Sequence, residues 1–310
     1  MICSTRNVTG TTDSTKGNNM LKDTKANKIF LIILVSAIAL LFSMDYVWQK
    51  RGKENRSEQT YSFSASDSLV VSTISTDVVL AVDPKAKEAL VSIGENDRDS
   101  LKTSKKGTEL SIAVSPPSRG FLNFFKSQET PLVITLPQVQ LDQLVIKTTS
   151  GDILFMKDFE ANKIQLTSIS GDVDMLNLTG SDALQIKTIS GTTSGYSTKS
   201  EGQLELGSTS GDFEVDRIEG QNISLHTISG DIEGLVHILP QGRLEGSATS
   251  GSLELDLTKT EDLDIRATKI SGSILFNNQR QESSPALAST GNKQTSVKLS
   301  TVSGNLDLRF

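Results

Sequence analysis

Imidazole and thiol side chains, which often serve as catalytic bases and nucleophiles, are few in this chain. It has two histidines, His226 and His237, and a single cysteine, Cys3. The stretch most similar to a serine-hydrolase elbow, residues 207–211, has Thr209 where the nucleophilic serine would stand. Phosphate-binding glycine loops and the zinc-protease motif are absent from the sequence. The sequence therefore predicts a protein that is not an enzyme.

Acidic side chains at a regular spacing raise the question of cation binding. Asp152, Asp172, Asp212 and Asp231 each follow a Ser-Gly dipeptide. Carboxylates from adjacent turns of a repeat could share a calcium ion, or they could be solvated turn residues. The nonapeptide of calcium-binding β-repeats is absent. We predict no metal and no cofactor, with both interpretations of the aspartates left open.

An aromatic cluster follows two consecutive prolines at positions 116 and 117. It comprises Phe121, Leu122, Phe124 and Phe125. Such a cluster could touch a partner or a membrane, or it could plug the end of a core. We take Phe121, Phe124 and Phe125 as candidate partner-contact residues, with the plug as the alternative.

An internal repeat predicts the elements that position these residues. The dipeptide Ser-Gly recurs with flanks that align without gaps, as in LVIKTTSGDILF and IQLTSISGDVDM. Its successive spacings are 20, 20, 20, 19, 21, 21 and 32 residues. Glycine permits tight corners. We therefore predict structural repeat corners at Gly151, Gly171, Gly191, Gly211, Gly230, Gly251, Gly272 and Gly304.

Apolar residues alternate on both sides of each corner. Leu144 and Ile146 precede the first corner, and Ile153 and Phe155 follow it. A period of two indicates half-buried strands. One unit buries too few side chains to be stable alone, so neighbouring units must stack. The sequence therefore predicts an all-β protein, a β-solenoid or stacked β-strand repeat of about 20 residues per layer.

Domain limits follow from where the repeat weakens. Residues 61–140 contain a degenerate copy and further strand candidates, and are predicted to cap one end. Residues 141–310 are predicted to be the stack, which would finish at Phe310. Within them, the polar segment 277–296 is predicted to be a loop between the last two units.

A hydrophobic segment precedes the repeats. Residues 29–44 carry no charge, and Tyr46 and Trp48 could lie in a membrane interface. A cleaved signal peptide would need small residues near a cut site, and a core helix would be unusual beside strands. We predict a single transmembrane anchor at 29–48 with the lipid bilayer as partner.

Flanking segments complete the predicted topology. Residues 1–28 would be a cytoplasmic tail, with Met20 as an alternative start, and residues 49–60 a linker. Basic residues flank the anchor on both sides, so charge does not fix its orientation. The C-terminal domain is predicted to be extracytoplasmic from the resemblance described below.

Charge excludes one class of partner. The formal net charge is −6, and the acidic excess lies after residue 56. Nucleic-acid phosphates require clustered basic residues, so no nucleic acid is expected as a partner.

The TSGDI and ISGDV repeats, and the RGFLNFFK segment followed by PLVITLP, resemble a bacterial family. That family has β-strand repeats, unknown function and members called putative adhesins. The chain is also similar to LiaG-like membrane proteins of envelope-stress operons. The resemblance covers residues 61–310 and implies a solenoid-like extracellular domain. Two functions stay open: a surface binding or adhesion module for an unknown envelope protein or surface macromolecule, or a regulatory accessory protein of a cell-envelope stress response.

Overall fold

The computed structural model describes residues 56–64, 66–94, 100–115 and 130–310. Within these ranges the chain has no α-helix, and its 21 strands form one hydrogen-bonded sheet, so the all-β prediction is confirmed. The strands are β1 Arg56–Ser62, β2 Ser68–Thr73, β3 Val78–Asp83, β4 Glu88–Gly94, β5 Leu101–Lys106, β6 Glu109–Val114, β7 Leu132–Pro137, β8 Leu141–Thr148, β9 Ile153–Phe155, β10 Phe159–Ser168, β11 Val173–Thr188, β12 Thr193–Ser208, β13 Phe213–Thr227, β14 Ile232–Ala248, β15 Leu253–Asp256, β16 Leu263–Lys269, β17 Ser273–Phe276, β18 Gln279–Arg280, β19 Ala286–Ser289, β20 Thr295–Thr301 and β21 Asn305–Arg309.

The central strands form parallel layers in a β-solenoid-like stack. Leu184 lies opposite Ile164 on one side and Leu204 on the other, a step of 20 residues each way. Each layer has a first strand, a Ser-Gly corner, a second strand and a return segment. The long strands β11 to β14 each supply the second strand of one layer and the first strand of the next.

The amino-terminal end of the stack is built from the degenerate copy. β2 pairs in parallel with β8, and β3 with β9, so this copy is a regular layer. β6 and β7 add a further parallel layer outside it. β5 and β4 then pair antiparallel with that layer, and β1 pairs antiparallel with β4. Antiparallel strands therefore end the parallel stacking here.

β1 corrects one predicted boundary. It begins at Arg56, inside the segment 49–60 that was predicted as a linker. Its seven residues are polar apart from Tyr61, and none is fully buried. The strand therefore lacks the apolar alternation by which strands are recognised, and backbone pairing with β4 defines it.

The carboxyl-terminal layers are not stacked in chain order. β20 and β21 lie between the β14–β15 layer and the β16–β17 layer. The expectation that the stack finishes at the strand before Phe310 is therefore wrong. The predicted loop 277–296 is also more structured than expected, because β19 pairs antiparallel with β16 and β18 with β17.

The interior consists of apolar ladders that run through the layers. In one ladder, each residue of the first strands lies opposite its counterparts in the adjacent layers, and none is more than 2% exposed. Its members in stack order are Leu110, Leu69, Leu144, Ile164, Leu184, Leu204, Ile223, Leu244, Val297 and Ile265. Each layer is thus covered by its neighbours, as stacking of individually weak units requires.

Some predicted features lie outside the described residues. These are the anchor at residues 29–48, the tail 1–28, and Phe121, Phe124 and Phe125. Across residues 56–310, apart from the three gaps in the description, no helix has the length and apolar character needed to cross a membrane.

Candidate functional site

The corners expose one row of β-branched residues. The residue before each corner serine is Ile, Thr or Val in every layer that has such a corner. We call this row the corner ridge: in stack order, Ile74, Thr149, Ile169, Ile189, Thr209, Ile228, Thr249, Val302 and Ile270. Backbone hydrogen bonds between adjacent corners, such as Ser190 N–H to the Ile169 carbonyl at 2.9 Å, hold the row in register.

The ridge is apolar and open to solvent. Its five isoleucines and Val302 are between 42% and 82% exposed. The serine that follows each ridge residue is exposed as well. The corners therefore present an apolar row beside a hydroxyl row, repeated at each layer, with a spacing of about 4.8 Å.

A column of glycines makes this close stacking possible. A Cβ atom at Gly171 would overlap the carbonyl oxygen of Gly151, and one at Gly191 would overlap that of Gly171. The same relation continues along the stack through Gly211, Gly230, Gly251, Gly304 and Gly272. Gly272 also has a φ of 82°, which favours glycine. All eight sequence-predicted corner glycines thus lie in one column, in the order of the layers rather than of the chain.

Hydroxyl groups just inside the corners bond to the glycines. The Thr148 hydroxyl accepts the Gly151 N–H at 2.9 Å. The Thr227 hydroxyl instead donates to the Gly230 carbonyl at 2.8 Å. These residues are at least nine-tenths buried, so the bonds satisfy corner backbone groups away from water.

The corner aspartates bond across layers. The Asp152 carboxylate accepts the backbone N–H of Asp172 at 2.8 Å, and the Asp231 carboxylate accepts that of Ser252 at 2.7 Å. Burial raises the pKa of Asp152, and the charges of Asp77 and Asp172 raise it further, against the lowering effect of its hydrogen bond. Asp152 and Asp231 are therefore exposed turn residues that also accept hydrogen bonds from the next layer.

A second acidic row lies beside the first. Asp174 and Glu214 point outward from the second strands, two residues beyond the corner aspartates. Burial raises the pKa of both, and a neighbouring corner aspartate adds to each effect. Glu233, Glu254 and Asp307 continue this row. This side of the ridge is the acidic flank.

The first strands form the other flank, which is less acidic. Three rows of paired residues on the outer face of the first strands cross the layers from β8 to β16. In β8 these rows begin at Gln143, Val145 and Lys147. They contain six basic residues: Lys147, Lys163, Lys187, Arg243, Arg266 and Lys298. They contain three acidic residues: Glu205, Glu245 and Asp264. This basic flank thus carries 6 − 3 = +3.

On the basic flank, His226 joins an interlayer charge cluster. The Glu205 carboxylate lies 2.9 Å from Lys187 Nζ on one side and 4.0 Å from His226 Nε2 on the other. Burial alone would raise the pKa of Glu205, but hydrogen bonds from Lys187 and Gln185 outweigh it and lower the pKa. The His226 side chain is 42% exposed and lies opposite Ser247 of the next layer.

His237 belongs to a similar cluster on the return segments. Its Nδ1 lies 3.3 Å from Glu219, which also contacts Lys199 Nζ at 3.0 Å. The described part of the chain holds no group of three or more His, Cys, Asp or Glu side chains placed to bind a metal ion. Both histidines thus lie next to a glutamate of an adjacent layer.

Sequence reasoning found the glycines but missed the ridge. The pattern of Ile, Thr or Val before every Ser-Gly was visible, yet alternation alone did not reveal that this residue faces solvent. The N–H bonds of the corner aspartates were missed because they join residues of different layers. The spacing of 20 residues between Asp152 and Asp172 was the available signal.

Residues 66–309 match the model of the family described as Toastrack DUF4097. The chain belongs to this family. The predicted resemblance to a β-strand-repeat family of unknown function is thereby confirmed, while its LiaG-like part is not tested. A comparison with curated proteins gives no match.

The chain is similar to several solved structures. One is a putative lipid binding protein from Parabacteroides distasonis, with 17% identity and a TM-score of 0.50, covering 83% of this chain and 97% of that one. Another is a putative adhesin from Bacteroides fragilis, with 15% identity and a TM-score of 0.48, covering 82% and 97%. A putative adhesin from Parabacteroides merdae has 10% identity and a TM-score of 0.47, covering 83% and 97%. At these identities the likeness concerns the fold.

Proposed function

We propose that this protein is a membrane-anchored, extracytoplasmic binding module that acts by adhesion and not by catalysis. The corner ridge would be its contact surface. Residues 29–48 would hold it in the bilayer, with the repeats outside the cell. The anchor and its orientation rest on the hydrophobic sequence and on the family resemblance.

The observation that carries the proposal is the exposure of the ridge. Contiguous apolar patches on a soluble surface commonly mark interaction sites. Here six large apolar side chains of one row are 42–82% exposed, at corner positions that repeat from layer to layer. Several solved structures with this fold are described as putative adhesins, which is consistent with a binding role.

The test compares bacteria that display the full-length chain with bacteria that display a ridge variant. Ile169→Ser, Ile189→Ser and Ile228→Ser together remove the centre of the ridge while leaving the glycine column unchanged. The measurement is retention of the cells on a surface coated with envelope fragments of the displaying strain. We expect the triple variant to lose at least about nine-tenths of the retention, a tenfold change.

The matched control is Tyr196→Ser, which removes a side chain that is 57% exposed but lies outside the ridge. It should keep wild-type retention. Equal display and equal melting temperature must be verified for every variant. A folded triple variant that still adheres would refute the ridge as the contact surface. If that variant instead altered envelope-stress transcription, the regulatory function would be favoured.

A further inference from the structure

We infer that the ridge binds a second copy of this chain, with the two stacks side by side and pointing in the same direction. This inference rests on the proposed function and names a second partner of the same ridge: another copy in the same membrane, whose pairing would compete with adhesion to an external surface. It follows from the charges on either side of the ridge, from the layer spacing and from the size of the surface.

The two flanks carry opposite charge. The acidic flank comprises the corner row and the row two residues beyond it, from β3 to β17. Its acidic members are Asp77, Asp152, Asp172, Asp212, Asp231, Asp174, Glu214, Glu233, Glu254 and Asp307. These two rows contain no Lys or Arg. The basic flank, in contrast, has the net charge of +3 derived above.

Charge determines which two-fold arrangement is favourable. If the two-fold axis runs along the stack, the acidic flank of one copy faces the basic flank of the other. If the two-fold axis is instead perpendicular to the stack, the acidic flanks of the two copies face each other. Ten carboxylates of one copy then oppose the same ten of the other. Opposed like charges disfavour a complex, and complementary ones favour it. The parallel arrangement is therefore preferred.

The parallel arrangement also matches the layers. Rotation about a two-fold axis along the stack does not change the position of a residue along that axis. Each ridge residue therefore lies at the same level as the identical residue of the other copy. Both ridges have the same spacing of about 4.8 Å, which allows the row of Ile, Thr and Val side chains to pack beside an identical row. Two chains anchored in one membrane would also point in the same direction.

The size of the ridge predicts a weak dimer. Nine layers span about 38 Å, and a strip about 10 Å wide would bury on the order of 400 Å² per copy. That is below the range of stable specific interfaces, which begins at about 1,200 Å² in total. Confinement of both copies to one membrane would raise their effective concentration and compensate for this weakness.

Cysteine cross-linking in intact cells can trap such a dimer and report its direction. The background is the full-length chain with Cys3→Ser, which removes the native cysteine. Ile189→Cys and Ile228→Cys are made separately. They occupy the fourth and sixth positions of the nine-residue ridge, so they exchange places in an antiparallel pair. The control is Glu160→Cys, an exposed position on a return segment.

For the parallel dimer, each ridge variant alone should give a disulfide-linked dimer at least about fivefold above the control. Raising salt to about 1 M should reduce the yield, because the Debye length then falls to about 3 Å. A disulfide requires Cα atoms within about 7 Å. Cross-links that appear only when the two variants are mixed would indicate the antiparallel pair and overturn the inference.

Absence of cross-links from both variants, or equal cross-linking of the control, would also overturn it. If cells adhere through the ridge but no cross-link forms, the inference fails and the proposed function stands. If the cross-links form but ridge variants adhere normally, self-pairing stands and the proposed adhesive function fails.

Discussion

The Asp172 carboxylate accepts the backbone N–H of Thr192, 20 residues further along the chain and one layer away, at 2.8 Å. The corner is where parallel ladder bonding is interrupted, so this N–H would otherwise lack an acceptor. The same relation joins Asp212 to the N–H of Asp231. At the last corner, the Asn305 side-chain oxygen performs this role for Ser273 at 3.2 Å.

Asp172→Ala should lower the free energy of unfolding by about 0.5–1.5 kcal/mol, because it removes the side-chain acceptor of the Thr192 N–H. Asp172→Asn is the matched control. It keeps the acceptor and removes a negative charge from the acidic flank, so it should be neutral or slightly stabilising. Denaturant unfolding of both variants provides the measurement. Equal destabilisation by Ala and Asn would mean that the charge, and not the hydrogen bond, matters.

Gly191→Ala should be far more damaging, because its Cβ would overlap the backbone carbonyl oxygen of Gly171. Backbone in a stacked layer cannot move without separating the layers. We expect a loss above about 3 kcal/mol, or failure to fold. Gly207→Ala is the control, since its Cβ would meet only the His226 ring, which is partly exposed and can move. Similar melting temperatures for the two variants would contradict close stacking at the corner.

One layer has an unusually polar interior. Thr193, Thr198 and Ser200 are fully buried, and their hydroxyl groups have no hydrogen-bond partner. Buried polar groups without partners cost free energy. Thr193→Val should therefore stabilise the protein by about 1 kcal/mol.

Thr227→Val is the opposite case, because the Thr227 hydroxyl donates to the Gly230 carbonyl. It should destabilise by about 1 kcal/mol. Thermal unfolding of the two variants would show shifts of opposite sign. A loss of stability in Thr193→Val would show that its hydroxyl is satisfied in solution.

Stability should depend on pH in two opposing ways. Burial is the main cause of the raised pKa of Asp174, so the folded state favours the protonated side chain. The stability that this preference contributes is fully present below pH 3.8 and is lost as pH rises through the folded pKa. Burial alone would raise the pKa of Glu205, but Lys187 and Gln185 lower it, so the folded state favours the charged side chain. The stability that this preference contributes is present above pH 4.5 and is lost as pH falls through the folded pKa. Stability should therefore pass through a maximum in the acidic range.

Two substitutions separate these effects. Asp174→Asn should stabilise the protein at pH 7, with little effect at pH 3. Glu205→Gln should cost about 0.5–1 kcal/mol at pH 7, since partly exposed ion pairs contribute little, and this cost should shrink as pH falls below 4.5. Urea unfolding across this pH range measures both. A pH profile that neither substitution changes would contradict the assigned pKa directions.

The sequence repeat predicted the strands and corner of each layer, but not which layers lie next to each other in the stack. Alternation around Gly151 and Gly171 indicated strands, and their spacing indicated stacking. The copy around Gly304 has the same pattern, so it was recognised as a layer. Its place between the layers of Gly251 and Gly272 depends on long-range pairing, which the repeat pattern does not encode.

The ridge illustrates a second limit. Ile189 is an apolar residue of a strand-rich sequence, and such residues are usually buried. Its exposure follows from the corner, where Thr188 and Gly191 turn inward and leave Ile189 and Ser190 outside. That geometry depends on how adjacent corners stack, so periodicity within one unit does not reveal it.

The displaced final layer affects the order of assembly during synthesis. β16 and β17 leave the ribosome before β20 and β21, yet those later strands are their parallel neighbours. The layers from β8–β9 to β14–β15 can grow in order, each layer upon the previous one. The β16–β17 layer can form its parallel pairing only after β20 and β21 have been synthesised, and the segment between them stays looped out until then. We therefore expect closure of that loop to be a late step of assembly, and it completes the pairing at the carboxyl-terminal end of the stack.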